Sequence, residues 1–173
     1  MPKLKALVHP FFLIIFVVFA AVSLQPALAQ RFETDAAHAI LMDAETETVL
    51  FQHEADTPMA PASMAKLMTV AVILRALEAG ELSLDDEFVV SEDAWRRGGA
   101  MAGGSTMFAE LGSSIKLSDL LRGIIVQSGN DACMIVAEGI AGNESTFADL
   151  MNAEARRLGL ENSHFVNSTG LPD

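Results

Sequence analysis

The chain has 173 residues, half of them apolar, and a formal net charge of −12. That length allows one core of ordinary size. Such an acidic chain repels phosphate backbones, which argues against a nucleic-acid partner, and its single cysteine, Cys133, leaves no internal disulfide to form.

The N-terminus reads as an export signal over residues 1–29. Lys3 and Lys5 precede an unbroken apolar run from Phe11 to Val22, and Ala27-Leu28-Ala29 offers small residues where a signal peptidase cuts. The run is shorter than the ~20 residues that span a bilayer, so cleavage is expected rather than retention as an anchor. The mature chain then starts near Gln30, in the periplasm or on the outer face of the cytoplasmic membrane. It holds all 23 acidic and nine of the eleven basic residues, a formal charge of −14.

His38 to Met42 and Thr48 to Gln52 flank a polar turn, Asp43 to Glu47, and suggest an antiparallel hairpin. Ser63 to Ala79 is apolar almost all round, as expected of a helix in the centre of a domain, with Pro61 before it and Gly80 after it. Ser91 is a candidate cap for a short helix through Trp95. A loop-like stretch from Gly98 to Ser105 follows, with four glycines in eight residues. Ser118 is the expected N-cap of a helix through Ile125. After a break at Ser128-Gly129, another helix runs from about Asn130 to Ala141. Ser145 is the expected cap of a last helix reaching Leu158. Cys133 lies in an apolar stretch, where a small buried side chain is the ordinary role. The histidines at 9, 38, 53 and 164 lack metal-ligand spacing, so neither metal nor cofactor is expected.

Two constellations carry chemistry. Ser63 and Lys66, three apart, share one helical face, and a serine hydroxyl needs such an adjacent base to act as a nucleophile. Burial disfavours the ammonium and favours a neutral amine able to take the proton. The free N–H groups of a helix start favour negative charge on a bound carbonyl. A Ser-x-x-Lys match arises by chance on the order of once per chain of this length, and the plain alternative is a capping serine beside a surface lysine. Against that, Lys66 is the only basic residue between Arg31 and Arg75. Ser128-Gly129-Asn130 is the second constellation: Asn130 offers a donor and an acceptor, and Ser128 can pass a proton to a leaving amine. A turn with an N-cap is its plain alternative. In this order the two motifs fit the pattern of serine penicillin-binding proteins and class A β-lactamases.

The mature chain resembles the low-molecular-mass penicillin-binding proteins, the serine D-Ala-D-Ala carboxypeptidases. The likeness runs through Ile40 to Ala44, Pro61 to Thr69, Gly104 to Phe108, Leu121 to Gly123, Gln127 to Cys133 and Leu160 to Phe165. It implies an α+β, β-lactamase/transpeptidase-like fold, an antiparallel sheet with a helical cluster. Residues 30–173 would form part of its catalytic domain, with only the first two sheet strands. By resemblance Ser63 is the acylated nucleophile, Lys66 its base, Ser128 the second catalytic hydroxyl and Asn130 a substrate-binding residue. The implied partners are the D-Ala-D-Ala end of a peptidoglycan stem peptide and, as covalent inhibitors, β-lactams. The family's third motif, Lys-Thr-Gly, occurs nowhere in the sequence, which points to an N-terminal portion of a longer enzyme. The family's C-terminal helix would associate the intact protein with a membrane. A class A-like β-lactamase is the nearest rival; Glu154 to Gly159 lacks the asparagine of that family's Glu-x-x-Leu-Asn setting, and Gly129 stands where those enzymes usually carry Asp. An exported, non-catalytic binding or scaffold protein is the rival from another class.

Overall fold

The computed structural model describes residues 33–172. The expected export signal lies outside the described residues. Among those described, no helix is long and apolar enough to cross a membrane. The chain divides into one unit ending at Thr57 and a second beginning at Pro58.

The first unit is the expected hairpin. Strands β1 (Ala39–Met42) and β2 (Val49–His53) pair antiparallel, with Ala39 opposite His53 and Leu41 opposite Phe51. The register shifts between Leu41 and Met42, leaving Leu50 without a partner residue in the ladder. Asp43 builds the turn: its Oδ1 accepts from the Thr46 amide at 2.8 Å and the Thr46 hydroxyl at 2.7 Å.

Among the described residues, the second unit holds five helices and a further antiparallel strand pair. A 3₁₀ turn, Ala62–Ala65, leads into α1 (Lys66–Glu78). Strand β3 (Glu87–Val89), α2 (Glu92–Gly98), a 3₁₀ turn at Ala100–Ala102 and β4 (Ser114–Lys116) follow. Then come α3 (Leu117–Gln127), α4 (Asn130–Ala141) and α5 (Glu144–Arg157). The β3–β4 pair, with Phe88 opposite Ile115, was not expected from the sequence. Its strands are three residues long and separated by a helix and a long loop, so no local alternation reveals them.

The centre of the unit is α4, not α1. Every residue from Asn130 to Ala137 is buried. One side of α4 packs through Ala132, Cys133, Ile135 and Val136 into a core with Ile73, Val90, Leu117, Leu120 and Ile124. Ala137 joins a second core with Met68, Val72, Phe147 and Met151. Gly139 has no Cβ because Phe88 occupies the space: a Cβ there would lie 2.0 Å from the ring. By contrast α1 buries Met68, Thr69, Val72 and Ile73 but leaves Leu67 74% exposed. Its uniform hydrophobicity fitted a central helix, yet only one side is covered by the described residues.

Helix starts also differ from expectation. Ser91 does cap α2, its Oγ accepting from the Ala94 amide at 3.0 Å. Ser118, however, sits inside α3. That helix needs no side-chain cap because the Leu117 and Ser118 amides donate to the carbonyls of Asp86 (2.8 Å) and Leu84 (3.0 Å). Asn143, rather than Ser145, caps α5 by accepting from the Thr146 amide at 2.8 Å.

Candidate active site

The four residues singled out in the sequence converge on one amine. Lys66 is 4% exposed, and its Nζ donates to the Ser128 carbonyl at 2.7 Å and to Asn130 Oδ1 at 2.7 Å. The Ser128 hydroxyl lies 3.0 Å from the same nitrogen and the Ser63 hydroxyl 3.3 Å. The first two partners are carbonyl oxygens, which only accept. In a neutral amine they take both N–H groups, so the lone pair is left for the two hydroxyls. The arrangement aims the basic site of Lys66 at Ser63 and Ser128, which is what proton transfer between them requires.

Electrostatics favour that state. Burial pulls the Lys66 ammonium below its ordinary value of 10.5, while charges at Cys133 and Asp131 act the other way. Burial also pushes the Cys133 thiol up to about 12, so it stays neutral as Lys66 titrates. Asp131 is therefore the charge that opposes the shift.

None of Ser63, Ser128 and Asn130 serves as a helix N-cap. The starts of the Ala62–Ala65 turn and of α1 have no side-chain cap, and Ser63 lies in the 3₁₀ turn rather than in the α-helix. The cap position of α4 is Gly129, so Asn130, its first helical residue, turns its amide to Lys66 instead. Ser128 closes α3 in the left-handed region, at φ 54° and ψ 34°. That conformation is costly for a residue with a Cβ, and it brings both the carbonyl and the hydroxyl of Ser128 to Lys66. Beside the pair opens a cleft of about 350 Å³, lined by Leu67, Val70, Ile124 and Ile125.

Two supports were not assigned roles from the sequence. Asp131 is fully buried and accepts from the Thr106 hydroxyl (2.7 Å) and the amides of Met107 (2.9 Å), Ala109 (3.1 Å) and Ala132 (2.9 Å). The signal for it was available: a carboxylate directly ahead of the apolar run Ala132 to Ala137. Gly98 lets α2 approach there, since a Cβ would lie 2.5 Å from the Asp131 amide. The second support is the segment after α5. Asn152 grips both the N–H and the carbonyl of Phe165, at 2.8 and 2.7 Å. Thr69 on α1 donates to the Ser168 carbonyl at 2.7 Å. Gly170 then packs so closely on the turn before Ser63 that a Cβ would lie 1.9 Å from the Ala62 carbonyl oxygen. In sequence, Asn167 to Gly170 looks like any polar loop.

Comparison with known proteins identifies the family. A family model, Peptidase_S11, described as D-alanyl-D-alanine carboxypeptidase, matches residues 24–173. The chain is 43% identical over 138 residues to the D-alanyl-D-alanine carboxypeptidase DacC of Escherichia coli, covering 79% of this chain and 34% of that protein. It is 40% identical over 139 residues to DacF of Bacillus subtilis, with 80% and 34% covered. The solved structure of penicillin binding protein 5 from Haemophilus influenzae superposes with a TM-score of 0.77 at 35% identity, over 84% of this chain and 42% of that one. The chain thus spans about a third of the length of the curated relatives it matches. Within that span, the fold, the match over nearly all the described residues and the gathered Ser63, Lys66, Ser128 and Asn130 place the chain in the Peptidase_S11 family of D-alanyl-D-alanine carboxypeptidases.

Proposed function

We propose that the protein is a serine D-Ala-D-Ala carboxypeptidase that removes the terminal D-alanine from peptidoglycan stem peptides and is acylated by β-lactams at the same residue. The observation that carries the reading is the Lys66 amine, fixed by two carbonyl oxygens with the Ser63 and Ser128 hydroxyls at its remaining face.

In the acylation step neutral Lys66 takes the Ser63 hydroxyl proton as Oγ attacks the carbonyl carbon of the penultimate D-alanine. The tetrahedral intermediate collapses by breaking the C–N bond. The Ser128 hydroxyl gives its proton to the leaving amine and regains one from Lys66, so the net transfer is of one proton from Ser63 to the departing D-alanine. Water then hydrolyses the ester, restoring Ser63 and releasing the shortened peptide. A β-lactam follows the same first step, except that its broken amide stays tethered within the acyl group. Asn130, with its amide N–H groups free of Lys66, is suited to hold the substrate's peptide carbonyl. The N-terminal pattern supports export to the periplasm or the outer face of the cytoplasmic membrane, and association of the intact protein with the membrane belongs to the same reading.

A fluorescent penicillin tests it on the full-length protein. Covalent labelling is expected in the wild type, with D-alanine released from a stem-peptide mimic. Ser63→Ala should abolish the label; a label that persists would place the nucleophile elsewhere. Rapid turnover of a chromogenic cephalosporin would favour a β-lactamase instead. The N-terminal residue of the exported protein should be Gln30.

A further inference from the structure

Asp131 is a buried carboxylate whose four hydrogen-bond donors are all neutral, and it takes no part in the proton transfers just described. Three of those donors belong to Thr106, Met107 and Ala109, the segment that wraps the first turn of α4. The same segment touches Asn130 directly. The Asn130 amide donates to the Ser105 carbonyl at 2.8 Å, and Gly104 comes so near that a Cβ would lie 2.8 Å from Asn130 Nδ2. Phe108 in this segment adopts φ 62°, a strained value held by the Thr106 hydroxyl, which accepts from the Phe108 amide at 3.0 Å while donating to Asp131. Gly129, between the two catalytic side chains, is hemmed by the Asp131 carboxylate and the Met107 amide; a Cβ there would lie 2.9 Å from Asp131 Oδ1. So one carboxylate fastens the segment, the Gly129 backbone and the helix start that carry Ser128 and Asn130.

Resting on the carboxypeptidase reading above, we propose that Asp131, with Thr106 as its partner, is a positioning residue for acylation, holding Asn130 and Ser128 against Lys66 and supplying the negative charge behind them.

The charge has a definite sign of effect. Ionised Asp131 stabilises the Lys66 ammonium and so opposes the depression caused by burial. The other titratable group facing Lys66 is Cys133, also on α4, whose thiol is neutral. From α3 Lys66 meets only the hydroxyl and carbonyl of Ser128. Glu144 of α5 is engaged by Arg97 of α2 at 2.9 Å and by the Ser168 hydroxyl at 2.6 Å. Asp131 itself is faced by the uncharged Thr106–Ala109 segment and the Gly98 backbone of α2.

The test is the rate of acylation by a fluorescent penicillin as a function of pH, using the full-length protein and its Asp131→Asn, Thr106→Val and Thr106→Ser variants. Asp131→Asn should lower the high-pH plateau roughly tenfold or more, since an amide cannot accept from all four donors. It should also move the acid limb of the profile to lower pH, because Lys66 loses its neighbouring anion. Thr106→Val keeps the charge: its plateau should fall by roughly threefold to tenfold with the limb in place. Thr106→Ser should restore the wild-type rate. A plateau and limb in Asp131→Asn equal to wild type would overturn the proposal. So would a fall in rate with no movement of the limb, which a purely structural carboxylate would give. If Asp131→Asn does not fold, the Thr106 pair decides: equal rates for Val and Ser overturn it. Absence of any label in the wild type would instead sink the carboxypeptidase reading, and this inference with it.

Discussion

At Ser128 one residue serves the site with two atoms, and the substitutions that separate them are simple. Its carbonyl and hydroxyl both reach Lys66 only because the backbone is left-handed there. Ser128→Ala keeps the strained backbone and loses the hydroxyl. Ser128→Gly loses the same hydroxyl but relaxes the strain. Both should lose most penicillin acylation, while urea denaturation should find the glycine variant about 1 kcal/mol more stable than the alanine variant. Equal stability would show that the αL conformation carries no strain. Lys66 gives a second expectation. Its folded value lies below 10.5, so acylation should rise with pH through that lowered value and then level. The unfolded chain binds the proton more readily, so this group's contribution to stability also rises with pH between the lowered value and 10.5. Stopped-flow labelling and denaturant titrations across that range read both signs. Gly170 and Gly103 make a further contrast, both at positive φ. A Cβ at Gly103 meets open space, whereas at Gly170 it strikes the Ala62 carbonyl. Gly103→Ala should cost about 1 kcal/mol of backbone strain. Gly170→Ala should cost more and also slow labelling, because the turn that carries Ser63 must shift.

Among the elements, local chemistry was legible where neighbours in sequence are neighbours in space. The β1–β2 hairpin is within a residue of its expected limits because its turn is closed by Asp43, next to the strands it joins. The α4 limits were legible too, from the break at Ser128-Gly129 and the stop at Gly142. What sequence could not supply were partners brought from afar. The Leu84 and Asp86 carbonyls start α3, the β3–β4 pairing spans a whole helix, and Phe88 dictates Gly139. The same division runs through the site. Ser63, Lys66, Ser128 and Asn130 lie in recognisable spacings. Asp131's hold on Thr106 and Gly170's place against Ala62 depend on tertiary contacts alone. Packing of α5 is testable at Phe147, fully buried between α4 and α1 residues. Phe147→Ala should destabilise by about 3–5 kcal/mol, read from the denaturant midpoint. Glu154 fastens the same helix, engaging Arg157 on α5 and, at 3.5 Å, Arg75 on α1. The Arg157 hydrogen bond holds the Glu154 carboxyl below its ordinary 4.5. Its contribution is therefore complete above pH 4.5 and is lost as pH falls through the lowered value.

For the whole molecule, two opposed properties decide behaviour in solution. A net charge of −12 repels copies of the chain from one another. Against this, Leu67 and Ile125, at the mouth of the cleft beside Ser63, are 74% and 66% exposed. Exposed apolar surface of this kind drives association once copies come within contact. The two forces differ in range. Charge repulsion acts over about 30 Å at 0.01 M salt but only about 8 Å at 0.15 M, whereas hydrophobic contact does not weaken with salt. The chain from Gln30 to Asp173 should therefore sediment as a monomer at low ionic strength and self-associate as salt is raised. Leu67→Gln combined with Ile125→Gln should suppress that association without altering the charge. A wild-type chain that stays monomeric at every salt concentration would show that these side chains are covered in solution. Association that the double variant leaves unchanged would place the sticky surface elsewhere, with the exposed residues of the β1–β2 hairpin, among them Ile40 and Leu50, as the next surface to substitute.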